Sequence, residues 1–179
     1  AGPATLPLAV LEQVKEGLPI YPGAGASVME ISHRSKAFAA IHEQAKSNIQ
    51  QLLDLPDNYK VLFIQGGASL QFSMLAMNFL KGGTADYINT GSWAQKAISE
   101  AKVFGTPNVV WDGTDDNYNR VPGNDELNLS ADAEYVHFCA NETIQGIEFM
   151  TEPEVGDKAL ICDASSNFLS MPIDITKYA

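Results

Sequence analysis

The stretch that decides the fold is residues 61–72, which read Val61-Leu62-Phe63-Ile64-Gln65-Gly66-Gly67-Ala68-Ser69-Leu70-Gln71-Phe72. Its first four residues form a continuous apolar run of strand length, which is typical of a parallel strand covered on both faces. The small residues Gly66–Ser69 then end the run, and Phe72, Leu75 and Phe79 repeat at helical spacing. The segment therefore predicts a buried strand, a tight turn and a helix.

The same alternation continues toward the C-terminus. Four more strands are predicted at Ala85–Ile88, Val109–Trp111, Tyr135–Cys139 and Ala159–Cys162, with a helix over Trp93–Ala101. Toward the N-terminus, Leu8–Leu18 predicts a short amphipathic helix, and Phe38–Leu52 predicts a long one that ends before Pro56. Alternation of strands and helices predicts an α/β fold with a mostly parallel sheet flanked by helices.

The charge balance limits the classes of partner. The 179 residues carry 22 acidic and 11 basic side chains, a formal net charge of -11. Nucleic acids and anionic membranes require clustered lysines and arginines, so neither is an expected partner. The apolar runs are far shorter than the roughly 18 residues of a membrane helix, and the residues before Pro7 do not resemble a secretory signal. A cytoplasmic protein is predicted.

The cysteines and histidines do not indicate a metal site. Cys139 and Cys162 each lie in an apolar run, which favours two reduced thiols in the core. His33, His42 and His137 lack metal-ligand spacing, and no Cys-x-x-Cys pair is present. No metal is therefore expected.

The predicted topology nominates a ligand site. In an open α/β sheet, ligands bind outside the carboxyl ends of the strands. Four segments follow predicted strands: Gly66–Ser69, Gly91–Trp93, Asn141–Thr143 and Asp163–Ser166. They supply a small-residue turn into a helix, an indole, a hydroxyl beside an amide, and a carboxylate. This combination suits a flat, anionic ligand that contains a ring.

Each of these features also has a purely structural interpretation. The turn Gly66–Ser69 can bind phosphate or simply close a tight turn, and it is neither a Gly-x-Gly-x-x-Gly nor a Walker loop. Trp93 can stack on a ligand ring or pack in the core. Asp163 can pair with a charged ring nitrogen or cap a turn. Arg34 can grip a carboxylate or remain a solvated charge before the long helix.

Several segments together resemble the phosphoserine aminotransferase family. The matching segments, in chain order, are Ala1–Pro7, Ser27–Lys36, Phe63–Phe72, Thr84–Tyr87, Gly91–Trp93, Cys139–Gly146, Asp163–Ser166 and Ser170–Asp174. They cover essentially the whole chain in the family's order, which makes the set far more specific than any single loop.

The resemblance implies a transaminase that uses pyridoxal 5'-phosphate and has the fold-type-I architecture of the aspartate aminotransferases. It implies that Ala68 and Ser69 bind the cofactor phosphate, that Trp93 stacks on the pyridine ring and that Thr143 lies near the ring hydroxyl. Asp163 would pair with the protonated ring nitrogen. Where this chain has Ser69, some family members have an arginine, so this turn offers only a hydroxyl and a backbone N–H.

The resemblance also implies substrates and partners. The reaction would move an amino group from L-glutamate to 3-phosphohydroxypyruvate, a phosphorylated 2-oxo acid, in serine biosynthesis and in many bacteria also in pyridoxine biosynthesis. Arg34, with His33 beside it, would hold the substrate α-carboxylate. The family implies a homodimer with active sites shared across the interface.

The family's Schiff-base lysine lies a short way beyond the segment that matches Ser170–Asp174, and Lys177 comes too early for it. Residues 1–179 are therefore expected to be the N-terminal portion of the cofactor-binding large domain, without that lysine or the small domain. Alone, they are not expected to complete transamination. The alternatives are another fold-type-I enzyme, a non-catalytic anion-binding α/β module, and a nucleotide-binding Rossmann domain, which the missing glycine fingerprint disfavours.

Overall fold

The computed structural model describes residues 4–179. The chain divides between Val61 and Leu62 into two compact units.

The first unit contains two helices where the apolar periodicity predicts them. Helix α1 spans Leu8–Gly17 and helix α2 spans Lys36–Leu52. The Ser35 hydroxyl caps α2 by accepting a hydrogen bond from the Phe38 N–H at 3.2 Å, which satisfies one of the donors that every helix start leaves free. Helix α1 follows Pro7, whose fixed φ suits the entry to a helix.

The second unit is built on a four-stranded parallel sheet. Its strands are β1 (Thr84–Asn89), β2 (Thr106–Asp112), β3 (Ala133–Cys139) and β6 (Leu160–Asp163), and a separate antiparallel hairpin consists of β4 (Asn141–Glu142) and β5 (Ile147–Glu148). The sheet order is β2-β1-β3-β6, and every pairing is parallel. Helix α3 (Gly67–Phe79) precedes β1, and α4 (Ser92–Ala101) connects β1 to β2. This confirms the predicted fold class.

Both faces of the sheet carry a buried core. On one face, α3 and α4 pack against β1 and β3, and the residues buried there include Phe72, Ala76, Leu80, Tyr87, Ile98 and Tyr135. The opposite face buries Ile88, Val136, Phe138, Phe149 and Leu160. Two buried hydroxyls, those of Tyr87 and Tyr135, satisfy each other at 2.6 Å. Successive residues of a strand point to opposite faces of the sheet, so Tyr87 and Ile88 of β1, like Tyr135 and Val136 of β3, belong to opposite cores.

The buried histidine of β3 belongs to this aromatic layer. The His137 ring lies 5.1 Å from the Tyr87 ring and 5.9 Å from the Phe72 ring, measured between centroids. Complete burial lowers its pKa to about 4, although the negative charge of Asp163 acts in the opposite direction. His137 is therefore a neutral core residue at neutral pH.

The strand predicted at Val61–Ile64 is wrong. The structure assigns no strand there, and the ladder of the four-stranded sheet does not include these residues. Leu62, Phe63 and Ile64 are 72%, 55% and 52% exposed. An apolar run indicates only that a segment can be buried, whereas a strand must also join a ladder, and the ladders described within residues 4–179 do not include this segment.

Other sequence predictions concern groups that are dispersed along the chain. Both cysteines are free thiols, with Cys139 buried and Cys162 partly buried. Over residues 4–179, no three His, Cys, Asp or Glu side chains are grouped in a way that could hold a metal ion. Within the same range, no helix has the length and apolar character needed to cross a membrane.

Candidate active site

The carboxyl ends of the parallel strands bring three of the nominated segments to one edge of the sheet. Gly91–Trp93 follows β1, Asn141–Thr143 follows β3, and Asp163 is the last residue of β6. Because all pairings are parallel, these ends lie side by side at one edge, as the rule for α/β sheets requires. Helix α3 packs against α4 and brings its own N-terminus into contact with that helix.

Helix α3 begins with an N-terminus that no side chain caps. Its N-cap is Gly66, and no capping hydrogen bond from a side chain is present. Gly66 has a φ of 100°, and a Cβ there would lie 2.2 Å from Leu70 Cδ2, so the turn requires glycine twice over. The first N–H groups of the helix, including those of Ala68 and Ser69, are thus available to an acceptor from outside the helix.

A lysine from the neighbouring helix reaches this terminus. The Lys96 ammonium, on α4, donates a hydrogen bond of 2.6 Å to the Ser69 hydroxyl. A second polar contact between the two helices joins Ser73 to Glu100. A helix N-terminus attracts anions, and an adjacent ammonium reinforces that attraction. Lys96 was not among the residues predicted from the sequence, because only the packing of α3 on α4 places it beside Ser69.

Helix α4 begins differently. Its N-cap, Gly91, provides no capping side chain. Instead, the Glu142 carboxylate accepts the N–H of Trp93 at 2.9 Å and the N–H of Ala94 at 2.8 Å. Gln145 accepts the Ser92 N–H at 3.3 Å and donates to the Ser92 hydroxyl at 2.8 Å. The positive end of α4 is therefore already occupied by a carboxylate.

Trp93 and Thr143 both adjoin this contact, Trp93 as one of its donors and Thr143 as the neighbour of Glu142 in the chain. Trp93 is the second residue of α4 and is partly exposed, while Thr143 directly follows Glu142 and is exposed. The indole is thus neither fully buried in the core nor fully solvated. Its stacking on a ligand ring stays a prediction.

Asp163 is oriented by two neighbours. Its Oδ1 accepts hydrogen bonds from the Ser165 N–H at 3.0 Å and from the Ser165 hydroxyl at 2.5 Å. Its Oδ2 accepts a hydrogen bond of 3.7 Å from the Cys139 thiol. Burial, aided by the charge of Asp163, raises the pKa of the Cys139 thiol, so sulfur remains a proton donor. Asp163 therefore caps a local turn, as its structural interpretation predicts. Its Oδ2 still has a lone pair that can accept a hydrogen bond from a donor stronger than the Cys139 thiol.

The segments that follow β3 and β6 are also joined to each other. The Ser166 hydroxyl lies 3.0 Å from Asn141 Oδ1 and 3.2 Å from the Asn141 carbonyl, and both oxygens can accept its proton. The structure therefore links the Asp163 segment to Asn141, the Asn141–Glu142 strand to α4, and α4 to Ser69.

Arg34 and His33 belong to the first unit. Both are exposed and lie in the turn before the Ser35 cap of α2, where the Arg34 N–H donates to the Ser32 hydroxyl at 3.2 Å. Their assignment to the substrate carboxylate stays a prediction.

A parallel sheet with an uncapped helix N-terminus and a carboxylate at its carboxyl edge is an arrangement typical of α/β proteins that bind anionic ligands. Comparison with known families makes the class specific: the chain belongs to the class-V aminotransferases, whose family model matches residues 1–179.

The chain is similar to proteins named phosphoserine aminotransferase. The one from Pseudomonas fluorescens (strain SBW25) is 52% identical over 179 residues, which cover 99% of this chain and 50% of that protein. A chloroplastic relative from Arabidopsis thaliana is 48% identical, again over 99% of this chain and over 42% of its own length. The chain thus spans about half the length of the curated relatives it matches.

Solved structures agree with the sequence comparison. The phosphoserine aminotransferase from Bacillus circulans subsp. alkalophilus matches with a TM-score of 0.94 at 47% identity, over 99% of this chain and 50% of that one. The Trichomonas vaginalis enzyme, whose structure is described as containing bound pyridoxal phosphate, matches with a TM-score of 0.90 at 42% identity, over 99% and 50%. The resemblance seen in the sequence is confirmed.

Proposed function

We propose that the chain is the N-terminal portion of the cofactor-binding large domain of a phosphoserine aminotransferase. The proposed reaction transfers the amino group of L-glutamate to 3-phosphohydroxypyruvate and forms O-phospho-L-serine for serine biosynthesis. The family match and the relatives' names support this proposal. The observation that carries it is a set of hydrogen bonds around the sheet edge, which join the Trp93 N–H to Glu142 and Lys96 of α4 to Ser69 of α3. A further bond, from Ser166 to Asn141, connects the segment that begins at Asp163.

The residues at this edge fit pyridoxal 5'-phosphate group by group. The phosphate matches the first N–H groups of α3, at Ala68 and Ser69, and the ammonium of Lys96. The partly exposed indole of Trp93 offers a stacking face, and the exposed Thr143 offers a hydroxyl for the ring oxygen. Asp163 Oδ2 has a thiol as its neighbour and can accept a stronger donor, such as a protonated ring nitrogen.

When bound, the cofactor supplies an electron sink for the bond changes at the amino-acid α-carbon. The residues of this chain supply position and charge. Asp163 keeps the proton on the ring nitrogen through a charge-assisted hydrogen bond, which is worth about 1.5–3 kcal/mol. Trp93 and Thr143 fix the plane of the ring, and α3 with Lys96 anchors the phosphate.

The substrate and assembly assignments complete the proposal. Arg34, with its planar pair of donors, holds the substrate α-carboxylate with His33 beside it. Two copies form a homodimer, and the cytoplasm is the expected location.

A second candidate function is a non-catalytic anion-binding module. It is favoured by the α3 terminus with Lys96, which would hold any phosphate whether or not a ring is attached. The two candidates differ in whether Asp163 affects binding, because a bare phosphate has no ring nitrogen.

The test is binding and turnover by the full-length product of the gene that encodes this chain. Asp163→Asn is expected to weaken binding of pyridoxine 5'-phosphate about 10- to 150-fold, the equivalent of the lost charge-assisted bond. Inorganic phosphate should bind this variant as it binds the wild type. Glutamate-dependent turnover of 3-phosphohydroxypyruvate should fall by a similar factor.

The exposed Asp157, at another turn of the chain, provides the matched control as Asp157→Asn. Unchanged pyridoxine 5'-phosphate binding and turnover in Asp163→Asn would refute the assigned role. Phosphate binding in the wild type without any turnover would favour the non-catalytic module.

A further inference from the structure

The groups that cap the start of helix α4 come from about 50 positions further along the chain. We call Glu142, Gln145 and the backbone N–H groups of Ser92, Trp93 and Ala94 the α4 clamp. Four hydrogen bonds of 2.8–3.3 Å hold it together, and every N–H of residues 92–94 is used. The segment after β3 and the start of α4 therefore form one hydrogen-bonded unit.

Gly91 makes this close approach possible. A Cβ at Gly91 would lie 2.7 Å from Glu142 Cδ, 2.8 Å from Glu142 Oε2 and 2.7 Å from Gln145 Oε1. The φ of Gly91 is 163°, an extended value that any residue adopts, so the backbone itself does not demand glycine. The reason for glycine here is the space that the two side chains of the clamp occupy.

Glu142 is an unusual residue to bury. Its side chain is 1% exposed, and the ion pairs within residues 4–179 do not include it. Its pKa is raised above the ordinary value, mainly by burial and further by the charge of Asp163, while the N–H groups of Trp93 and Ala94 act in the opposite direction and favour the charged form. Burying a carboxylate costs free energy unless hydrogen bonds and a helix dipole compensate for it, and here α4 supplies both. A neutral apolar residue would avoid that cost but would leave the N–H groups of Trp93 and Ala94 without their acceptor, so Glu142 also completes the cap of α4.

The position of the clamp indicates a second role beside capping. Trp93 is one of the donors to Glu142, and Thr143 is the next residue after Glu142. These are the two residues assigned to the plane and the hydroxyl of the ring. One carboxylate thus contacts the backbone of Trp93, and the residue that bears it directly precedes Thr143 in the chain.

We propose that Glu142 is a positioning residue of the active site, which holds Trp93 and Thr143 in register for the cofactor ring. This rests on the proposed function. Glu142 does not touch the ring; it acts through the backbone of α4 and through its own neighbour in the chain. Gly91 and Gln145 serve the same role, since Gly91 leaves space for the Glu142 carboxylate and Gln145 holds Ser92.

The test uses two probes on the apo form of the full-length gene product. Pyridoxine 5'-phosphate has the ring and the phosphate but no aldehyde, so it reports non-covalent contacts alone. Inorganic phosphate reports the α3 terminus alone. Both dissociation constants are measured well below the melting temperature, with circular dichroism confirming that each variant is folded.

Glu142→Gln retains the shape of the side chain but offers one oxygen acceptor in place of two, so one N–H of α4 faces an amide NH2. Pyridoxine 5'-phosphate should bind at least about 10-fold more weakly, because Trp93 and Thr143 are then no longer held in place and the free energy of binding must supply their ordering. Inorganic phosphate should bind within about twofold of the wild type, because the first turn of α3 is unchanged. Gly91→Ala, which displaces the same carboxylate from the other side, should give the same pattern.

Glu148→Gln is the matched control. Glu148 lies in the same hairpin and also accepts a hydrogen bond, from Asn167 at 2.9 Å, but it makes no hydrogen bond to α4. It should leave both dissociation constants within about twofold of the wild type, since its partner lies outside the clamp. If Glu142→Gln does not fold, Gln145→Ala removes only the outer part of the clamp and should weaken pyridoxine 5'-phosphate about two- to fivefold.

Three results would overturn the proposal. Wild-type pyridoxine 5'-phosphate affinity in folded Glu142→Gln, or in Gln145→Ala where that variant replaces it, would make the clamp purely structural. Equal losses for both probes would indicate general loosening. If the wild type binds phosphate but has no further affinity for pyridoxine 5'-phosphate, the proposed function fails first, and the positioning role fails with it.

Discussion

Helices α3 and α4 start alike in sequence and differently in structure. Each begins after a glycine, packs on the same face of the sheet and has no capping side chain at its own N-cap. The terminus of α4 is filled by the Glu142 carboxylate, whereas α3 has the Lys96 ammonium beside its first turn. A glycine turn before a helix therefore does not by itself make an anion site. What decides is the charged side chain that the fold places at each N-terminus. The carboxylate at α4 occupies its N–H groups, whereas the ammonium at α3 leaves them available to an anion.

The largest effect on ligand affinity is expected when a carboxylate is placed at the N-terminus of α3, as Glu142 is placed at the N-terminus of α4. Ser69→Asp places a carboxylate at the open terminus, where it would accept the free N–H groups and pair with Lys96. Inorganic phosphate and pyridoxine 5'-phosphate should both bind at least about 30-fold more weakly, because the variant carboxylate repels the phosphate and competes for its donors. Isothermal titration of the apo protein measures both affinities.

The same substitution at Ser99, an exposed position in the second half of α4, adds equal charge away from the α3 terminus. Ser99→Asp should change either affinity by less than about twofold at moderate salt. Strong phosphate binding by Ser69→Asp would show that the phosphate lies elsewhere and would end the contrast between the two helices.

A smaller effect is expected when the ammonium at α3 is removed. Lys96→Met retains most of the apolar stem and deletes the charge, so phosphate should bind about three- to tenfold more weakly at low ionic strength. The difference from wild type should shrink as salt is added, because Lys96 is only partly buried. Binding as a function of salt concentration measures this.

Lys102→Met, at the exposed C-terminal end of the same helix, is the control and should leave phosphate affinity unchanged. A loss in Lys102→Met as large as that in Lys96→Met would mean that net charge, and not the position beside Ser69, controls binding.

The sequence predicted the central strands because their signal is local. Tyr135–Cys139 and Ala85–Ile88 are short segments rich in apolar residues, although the second contains Asp86, and the sheet buries both of them. The run Val61–Ile64 carries the same signal, but it is exposed and outside the ladder. Local pattern reports what a segment can bury, whereas pairing depends on which other strands are present.

The candidate site was predictable in part for the same reason. Asp163 and Trp93 follow predicted strands, so the carboxyl-edge rule nominated them, and their individual roles came from the family resemblance. Glu142 lies in the family-like segment Cys139–Gly146, but the sequence does not predict its role. Its partners in α4 lie 48 and 49 positions away in the chain, and only the fold brings them together. Lys96 was missed because helical spacing does not reveal which neighbouring helix a lysine reaches.

The most direct measurement of the contrast between α3 and α4 follows backbone amides during a phosphate titration. In the isotope-labelled apo protein, the account predicts that inorganic phosphate shifts the amide resonances of Ala68 and Ser69 in a saturable way. The amides of Trp93 and Ala94, already bonded to Glu142, should move far less. Saturable shifts centred on Trp93 and Ala94, with Ala68 and Ser69 unaffected, would contradict it.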